Sequence, residues 1–157
     1  MDLNEILTPQ GVMSLVNVNS KKQLLQEVAE RAATLANVDE RIVFDVLLQR
    51  ERLGSTGVGN GVAIPHGKLP GLEAIYGVFA RLKQPIDFDS MDDQPVDIVF
   101  MLLAPEGSGA DHLKALSRIA RLLRNQATLS QLRATTDEDA LYSIVMSTEN
   151  LNDAMAG

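Results

Sequence analysis

A histidine held between a proline and a glycine is the first candidate for chemistry in this sequence. Pro65 and Gly67 flank His66, directly after the apolar stretch Val62-Ala63-Ile64. This stretch predicts a buried strand, and Pro65 ends its ladder because proline lacks the N–H donor. We therefore expect His66 just past a strand end, where a nucleophile or an acid/base group is well placed. The alternative is an idle, solvent-facing histidine in a turn.

The segment before this strand is rich in glycine, at Gly54, Gly57, Gly59 and Gly61. Glycine adopts positive φ and leaves the backbone uncovered, so such a loop can bring N–H groups close to a ligand or a partner. A P-loop would need Lys and Ser or Thr where this chain has Asn60 and Gly61. A dinucleotide fingerprint would follow a strand rather than a helix, and the Gly-x-Ser-x-Gly elbow of hydrolases is absent. The sequence therefore disfavours nucleotide binding.

A second histidine, His112, is predicted in the first turn of a helix for which Asp111 is the expected N-cap. That helix follows a strand, as His66 does, and the carboxyl ends of parallel strands share one crevice. The two imidazoles therefore converge if their strands are parallel neighbours. A guanidinium and two hydroxyls complete a set suited to holding phosphate, from Arg50, Ser55 and Thr56. Taken alone, His112 is more simply a solvated first-turn residue.

Helices and strands must alternate along the chain to position these residues. Caps and apolar periodicity predict helices over 3–7, 21–36, 40–53, 112–124, 128–133 and 137–147, and strands over 12–18, 62–64, 75–82 and 96–104. Ile42 and Leu113 are expected to face inward, residues 85–95 to form an exposed connection, and the polar tail from residue 148 to fray. The strand over 96–104 is apolar on both faces, as in a central strand covered by helices on both sides. We predict an α/β fold, a three-layer sandwich.

The composition excludes several classes of function. The chain of 157 residues is long enough for one domain with a real core, and its net charge of -7 argues against nucleic-acid binding. The absence of cysteine excludes disulfides and thiol catalysis, and two histidines without an acid at ligand spacing are thin evidence for a metal. The longest apolar run is too short to span a membrane, and the N-terminus lacks the features of a signal peptide. A cytoplasmic location is therefore expected.

The glycine-rich segment and the strand after it together resemble a known active-site signature. The residues that carry the resemblance are RERLGSTG at positions 50–57 and GNGVAIPHGK at positions 59–68. They resemble the fructose/mannitol-type IIA proteins of the phosphotransferase system, and most closely the nitrogen-regulatory branch, IIA-Ntr. Further matching segments follow at 85–89, at 93–97 and at His112-Leu113, and the resemblance extends over about residues 3–144.

The resemblance implies a fold and a set of site residues. It implies a mixed, roughly five-stranded sheet flanked by helices on both faces, in a single IIA domain over residues 1–157. His66 would accept the phosphoryl group and become a tele-phosphohistidine, and Arg50 and His112 would support it. The signature loop would help to hold the phosphate through Ser55, Thr56, Gly59 and Asn60. No cofactor or metal is implied, because the donor is already a phosphoramidate.

The resemblance also implies partners. The donor would be a phosphohistidine on a small HPr-like carrier of the NPr type, and no partner is a nucleic acid or a membrane. In the nitrogen branch, the phosphorylation state of His66 would regulate other proteins, such as potassium-transport or sensor-kinase components. The alternative is a sugar-transport component that relays phosphate to a fructose/mannitol-type IIB domain, and the absence of a linker to such modules favours the regulator. A third hypothesis is an anion-binding module without covalent transfer.

Overall fold

The computed structural model describes the backbone of residues 2–156 and the side chains of residues 2–148. In this part of the chain, six α-helices and a short 3-10 helix (Pro9–Gly11) combine with six strands. The helices are α1 (Leu3–Ile6), α2 (Lys21–Ala36), α3 (Glu40–Arg52), α4 (Gly109–Leu122), α5 (Gln126–Arg133) and α6 (Glu138–Ala156). The strands are β1 (Val12–Val16), β2 (Gly57–Gly59), β3 (Val62–Ala63), β4 (His66–Leu69), β5 (Tyr76–Ile86) and β6 (Val96–Pro105).

The strands form one mixed sheet in the order β1-β5-β6-β3-β2, with β4 also paired to β6. Strand β6 is central, as predicted, because it runs antiparallel to β5 and parallel to β3 and β4. Val62 lies opposite Ile98 and His66 lies opposite Leu102, so β3 and β4 share one register against β6. They therefore behave as one interrupted strand, and the sheet is five strands wide.

Helices cover both faces of the sheet, which confirms the three-layer α/β sandwich. Helices α2 and α3 bury one face, where Val99 and Met101 of β6 point. Helices α1, α4, α5 and α6 bury the other face, with Ile98 and Phe100. This alternation along β6 follows from the two-residue period of a strand, and it accounts for the continuous apolar run in the sequence.

The predicted starts of α2 and α3 are confirmed by their caps. The Ser20 hydroxyl accepts the Gln23 N–H at 3.2 Å, and the Asp39 carboxylate accepts the Arg41 N–H at 2.8 Å. These side chains satisfy N–H groups that have no partner in the first turn of a helix. Helix α2 then ends at the left-handed Asn37.

The predicted start of α4 is wrong by most of a turn. The helix begins at Gly109, and the carbonyl of Ser108 accepts the N–H of His112 at 2.9 Å. Asp111 is therefore the third helical residue and not the N-cap. The buried stripe of the helix contains His112, Ala115, Ile119 and Leu122, and Leu113 is 65% exposed, so the prediction that Leu113 faces inward is wrong.

Three further predictions are corrected. Ile42 is exposed, because the buried stripe of α3 consists of Val43, Leu47 and Glu51. The segment over 85–95 is not wholly exposed, since Ile86 is buried at the end of β5 and other side chains of the connection are buried too. The backbone of α6 continues to Ala156, beyond the helix end predicted near residue 147. The side chains of the predicted polar tail from residue 149 onward lie outside the described residues.

Candidate active site

His66 is the first residue of β4, not a turn residue beyond the strand. The ladder to β6 breaks only at Ile64 and Pro65, and it resumes at His66 in the same register. Pro65 interrupts the ladder and does not end it as predicted, because it has no N–H to donate but its carbonyl accepts the N–H of Leu102 at 2.9 Å. The break is therefore short, and the sheet fixes the backbone of His66.

The glycine after His66 permits close packing of α3. A Cβ placed on Gly67 would lie 2.3 Å from Cγ1 of Val46, closer than real atoms approach. Gly67 thus faces α3, and the alternation of the strand directs His66 toward the other face of the sheet, where α4 lies. Close packing at Gly67 also brings the C-terminal half of α3 against the start of β4, beside His66.

The ring of His66 is held by a backbone carbonyl. Its Nδ1 lies 2.8 Å from the carbonyl oxygen of Ile64. A carbonyl oxygen only accepts, so Nδ1 carries the proton of the neutral ring. The lone pair of Nε2 is then available for bond formation. Because the ladder is interrupted at Ile64, the carbonyl of this residue is available to accept the hydrogen bond from the ring.

The structure brings His112 against His66. The centroids of the two rings lie 5.6 Å apart, with an interplanar angle of 73°. His112 is 5% exposed, and its buried Nε2 has no hydrogen-bond partner among the described residues. The two imidazoles were expected to converge if their strands were parallel neighbours. This is the case, because His66 lies on β4, His112 lies on the helix that follows β6, and β4 runs parallel to β6. His112 is not a solvated first-turn residue.

Arg50 approaches the histidines from the last turn of α3. Its Nη1 donates to the carbonyl of Gly54 at 2.9 Å, just beyond the end of the helix. An open depression of about 390 Å³ joins Arg50, His66 and His112, and its remaining lining residues are Val46, Gln49, Leu53, Gly67, Lys68 and Leu116. The site therefore combines two imidazoles and two cationic side chains, with Leu53, which is 85% exposed, on its rim.

Both imidazoles are biased toward the neutral form. Burial lowers the pKa of His66 from its ordinary value of 6.5, and the positive charge of Arg50 lowers it further. The hydrogen bond to Ile64 and the negative charge of Glu51 raise the pKa and offset part of this effect. The pKa of His112 is lowered by burial first, then by His66 and by Lys68. A neutral His66 is the form that can act as a nucleophile.

The glycine-rich segment is folded as a hairpin for much of its length. Strands β2 and β3 pair antiparallel, and Asn60 and Gly61 between them have φ values of 58° and 79°. Two consecutive positive φ values at Asn-Gly are typical of a type I′ turn. Arg133 holds this turn by donating to the carbonyl of Asn60 at 2.6 Å and to both oxygens of Asp97.

The predicted phosphate-loop residues do not line the depression in the part of the chain that the structure describes. Ser55 donates to the carbonyl of Phe88 at 2.9 Å, and the N–H of Asn60 donates to Asp92 at 3.0 Å. The N–H and hydroxyl of Thr56 both donate to Glu51. The position of Gly59 leaves room for the Asp92 carboxylate, which would lie 3.3 Å from an added Cβ. Their predicted role in holding phosphate remains a prediction, and their contacts hold the loop itself.

Two residues beneath this loop, Glu51 and Lys21, were not predicted from the sequence. Glu51 is 6% exposed, and Lys21 Nζ lies 3.1 Å from its Oε1. The signal for Glu51 is its place in the sequence, because it continues the Val43 and Leu47 stripe at helical spacing. Lys21 is the first residue of α2, where the helix dipole disfavours a cation. A lysine at this unfavourable position is therefore a weak sign that its side chain is kept for another contact.

The described residues contain no group of three or more acids or histidines that could hold a metal ion. A search of the same residues for a helix long and apolar enough to cross a membrane also found none.

Comparison with known proteins found a matching family model and similar proteins in other organisms. A family model described as "Phosphoenolpyruvate-dependent sugar phosphotransferase system, EIIA 2" matches residues 5–147. The chain is 62% identical over 145 residues to a nitrogen regulatory protein of Bradyrhizobium diazoefficiens, covering 92% of this chain and 95% of that protein. It is 41% identical over 155 residues to a nitrogen regulatory protein of Escherichia coli K12, covering 98% and 94%.

A solved structure shows the same fold. The crystal structure of the nitrogen regulatory protein IIA-Ntr from Neisseria meningitidis matches with a TM-score of 0.87 at 34% identity. The match covers 91% of this chain and 98% of that chain. Sequence and structure therefore agree on the same group of relatives.

Proposed function

The chain belongs to the phosphoenolpyruvate-dependent sugar phosphotransferase system EIIA 2 family, and from that premise we propose that it accepts a phosphoryl group on Nε2 of His66. The donor is the phosphohistidine of a small HPr-like carrier of the NPr type. The observation that carries the proposal is the hydrogen bond from Nδ1 of His66 to the Ile64 carbonyl, which leaves the Nε2 lone pair available. The open depression at this ring supports it further, because a carrier must reach the reacting nitrogen.

The transfer is an in-line displacement at phosphorus. Nε2 of neutral His66 attacks, the new N–P bond forms, and the N–P bond on the carrier breaks. The electron pair of that bond returns to the carrier's imidazole, which carries a proton on its other ring nitrogen and so leaves as a neutral ring, and Nδ1 of His66 keeps its proton. The reaction therefore needs no further co-reactant, and the product is a tele-phosphohistidine.

Arg50 and His112 supply the electrostatic stabilisation. Charge spreads over the equatorial oxygens in the transition state of phosphoryl transfer. A guanidinium has further N–H donors beyond the one that Arg50 gives to Gly54. The buried Nε2 of His112 gains a partner when it hydrogen-bonds a phosphoryl oxygen, which offsets the cost of an unsatisfied polar atom. Preorganised groups of this kind stabilise developing charge effectively.

The proposed role of the phosphoryl group is regulation. The relatives named nitrogen regulatory proteins favour a regulator over a transport component. A phosphoryl group on His66 adds negative charge beside Leu53 on the rim, and it changes which surfaces can dock there. Potassium-transport or sensor-kinase components are the proposed class of regulated protein. A single IIA domain over residues 1–157 and a cytoplasmic location belong to the same proposal.

The test is phosphorylation by a reconstituted relay. The protein is incubated with phosphoenolpyruvate, the first phosphotransfer enzyme and the HPr-like carrier, and its intact mass is measured. We expect one acid-labile phosphoryl group, mapped to His66 and absent from His66→Ala. If a competent carrier leaves the folded wild-type protein unmodified, the proposal is wrong and the site binds anions without covalent transfer.

A second experiment separates regulation from sugar transport. Purified phosphoprotein is mixed with fructose- and mannitol-type IIB domains, and loss of the phosphoryl group is followed by mass. The regulator retains its phosphoryl group under conditions in which a cognate sugar IIA component donates it. Rapid donation to a IIB domain would instead assign this chain to sugar transport.

A further inference from the structure

A buried carboxylate lies behind the site, at the C-terminal end of α3. Glu51 is 6% exposed and accepts hydrogen bonds from two groups of one residue. The N–H of Thr56 reaches Oε1 at 2.9 Å, and the Thr56 hydroxyl reaches Oε2 at 2.6 Å. Thr56 thus donates to both carboxylate oxygens of Glu51, and the two hydrogen bonds fix the position and orientation of Thr56.

A cation completes the partners of this carboxylate. Lys21 Nζ lies 3.1 Å from Oε1 of Glu51 and 3.2 Å from Oδ2 of Asp89. It also lies 4.8 Å from the centroid of the Phe88 ring. Lys21 therefore ties α2 and the connection after β5 to the end of α3. A buried carboxylate needs such compensation, because burial of an unpaired charge is costly.

Hydrogen bonds continue from Thr56 to the reactive ring. The carbonyl of Thr56 accepts the N–H of Ile64 at 3.0 Å, and the carbonyl of Ile64 accepts Nδ1–H of His66 at 2.8 Å. Glu51 thus begins a chain of hydrogen bonds that ends on the imidazole. Every link in the chain is buried or partly buried, so solvent competes poorly with it.

We infer that Glu51 is a positioning residue: by holding Thr56 and, through it, the Ile64 carbonyl, it fixes His66 in the Nδ1–H tautomer with Nε2 ready to react. This inference rests on the proposed function for its kinetic consequence. The tautomer itself is a property of the unmodified protein. Glu51 does not touch the phosphoryl group, and it does not line the depression formed by the described residues.

The tautomer is measured directly by the ring nitrogen chemical shifts in an NMR experiment on the ¹⁵N-labelled protein. We expect wild type to show a protonated Nδ1 and an unprotonated Nε2 at His66. In Glu51→Gln the amide cannot replace both acceptor oxygens, so the Nε2–H tautomer should appear. The rate of phosphorylation should fall about tenfold, as expected for loss of a charge-assisted hydrogen bond. Glu27→Gln is the matched control, because it removes an exposed carboxylate of α2.

A second pair of variants tests the same chain without removing the buried charge. Thr56→Val removes the hydroxyl that donates to Oε2 of Glu51, whereas Thr56→Ser keeps it. We expect Thr56→Val to shift the tautomer and slow phosphorylation, and Thr56→Ser to restore both toward wild type. This pair decides the question if Glu51→Gln does not fold, and thermal unfolding of each variant identifies that case.

Distinct outcomes separate the two hypotheses. If folded Glu51→Gln and Thr56→Val keep the wild-type tautomer and rate, Glu51 is not a positioning residue, while labelling of wild-type His66 upholds the proposed function. If the variants shift the tautomer but wild type accepts no phosphoryl group, the positioning role stands and the proposed function fails. A slower rate at an unchanged tautomer would also overturn the inference, because a general loss of stability explains it.

Discussion

The imidazole of His112 lies edge-on to that of His66, with the ring centroids 5.6 Å apart and the planes at 73°. His112 comes from α4 and His66 from β4, so this contact joins two elements that are distant in sequence. The proximity of the two rings also couples their titrations, since a positive charge on one disfavours a positive charge on the other.

The first prediction concerns this coupling. Replacing His66 by Ala should raise the pKa of His112, because it removes a neighbouring charge and exposes the ring to solvent. The chain has two histidines, so the variant leaves a single imidazole to follow by NMR titration. Lys68→Met provides a comparison, since Lys68 also lowers the pKa of His112 but contributes less. An unchanged pKa of His112 in His66→Ala would contradict the observed contact.

A second prediction concerns stability and pH. The folded state lowers the pKa of both histidines below 6.5, so the unfolded chain binds more protons in this range. Stability from these groups is complete above pH 6.5 and is lost as pH falls through the lowered values. Urea unfolding should therefore give a smaller free energy of unfolding at about pH 5 than at about pH 7.5. The double variant His66→Gln/His112→Gln should show a shallower fall over this interval, and an equal fall would refute the assignment.

A third prediction separates two arginines in the last turn of α3. Arg50→Met should slow phosphorylation about a hundredfold, by analogy with loss of one preorganised donor. It should also raise the pKa of His66, because the charge of Arg50 lowers it. The rate should then fall at a higher pH than in wild type, since only the neutral ring reacts. Arg52→Met is the matched control, because Arg52 is exposed and lies outside the depression in the described residues. Equal rates in the two variants would remove Arg50 from the mechanism.

A fourth prediction concerns the packing of α3 on β4. Gly67→Ala should lower the free energy of unfolding by about 1–3 kcal/mol, since its Cβ overlaps Cγ1 of Val46. Adding Val46→Ala should recover part of this loss and show a coupling of about 1 kcal/mol. Gly107→Ala is the control, because nothing lies within 4 Å of its added Cβ. Additive losses in urea unfolding would show that the contact does not limit packing.

Local chemistry made much of the fold predictable. Ser20 and Asp39 start α2 and α3 because a short polar side chain satisfies the free N–H groups of a first turn. The apolar run of β6 predicted a central strand because helices cover both of its faces. Convergence of His66 and His112 was expected if their strands were parallel neighbours, and the structure meets that condition and brings the two rings together.

Contacts between distant residues were not predictable in the same way. Helix α4 begins after Ser108 and not after Asp111, although both residue types commonly cap helices, and the Ser108 hydroxyl donates to the Pro105 carbonyl instead of capping the helix. The hairpin of the glycine-rich segment is held by contacts of Asn60 with Asp92 and Arg133, which are remote in sequence. The Asn-Gly dipeptide was a local signal for this turn. Burial of Glu51 needed Lys21 and Thr56 as partners, which only the assembled fold supplies.

The interrupted strand also decides when the site is assembled during folding. Because β3 and β4 lie parallel to β6, a simple hairpin cannot join them, and their pairing requires β6, which comes about 30 residues later in the chain. The backbone of His66 is fixed in the sheet only after that long-range pairing with Leu102. A nascent chain in which Val96–Pro105 is still inside the ribosome already contains the glycine-rich segment and His66, but it lacks the strand that fixes the backbone of His66. Under the proposed function, phosphoryl labelling should therefore count native molecules and leave nascent or misfolded chains unmarked.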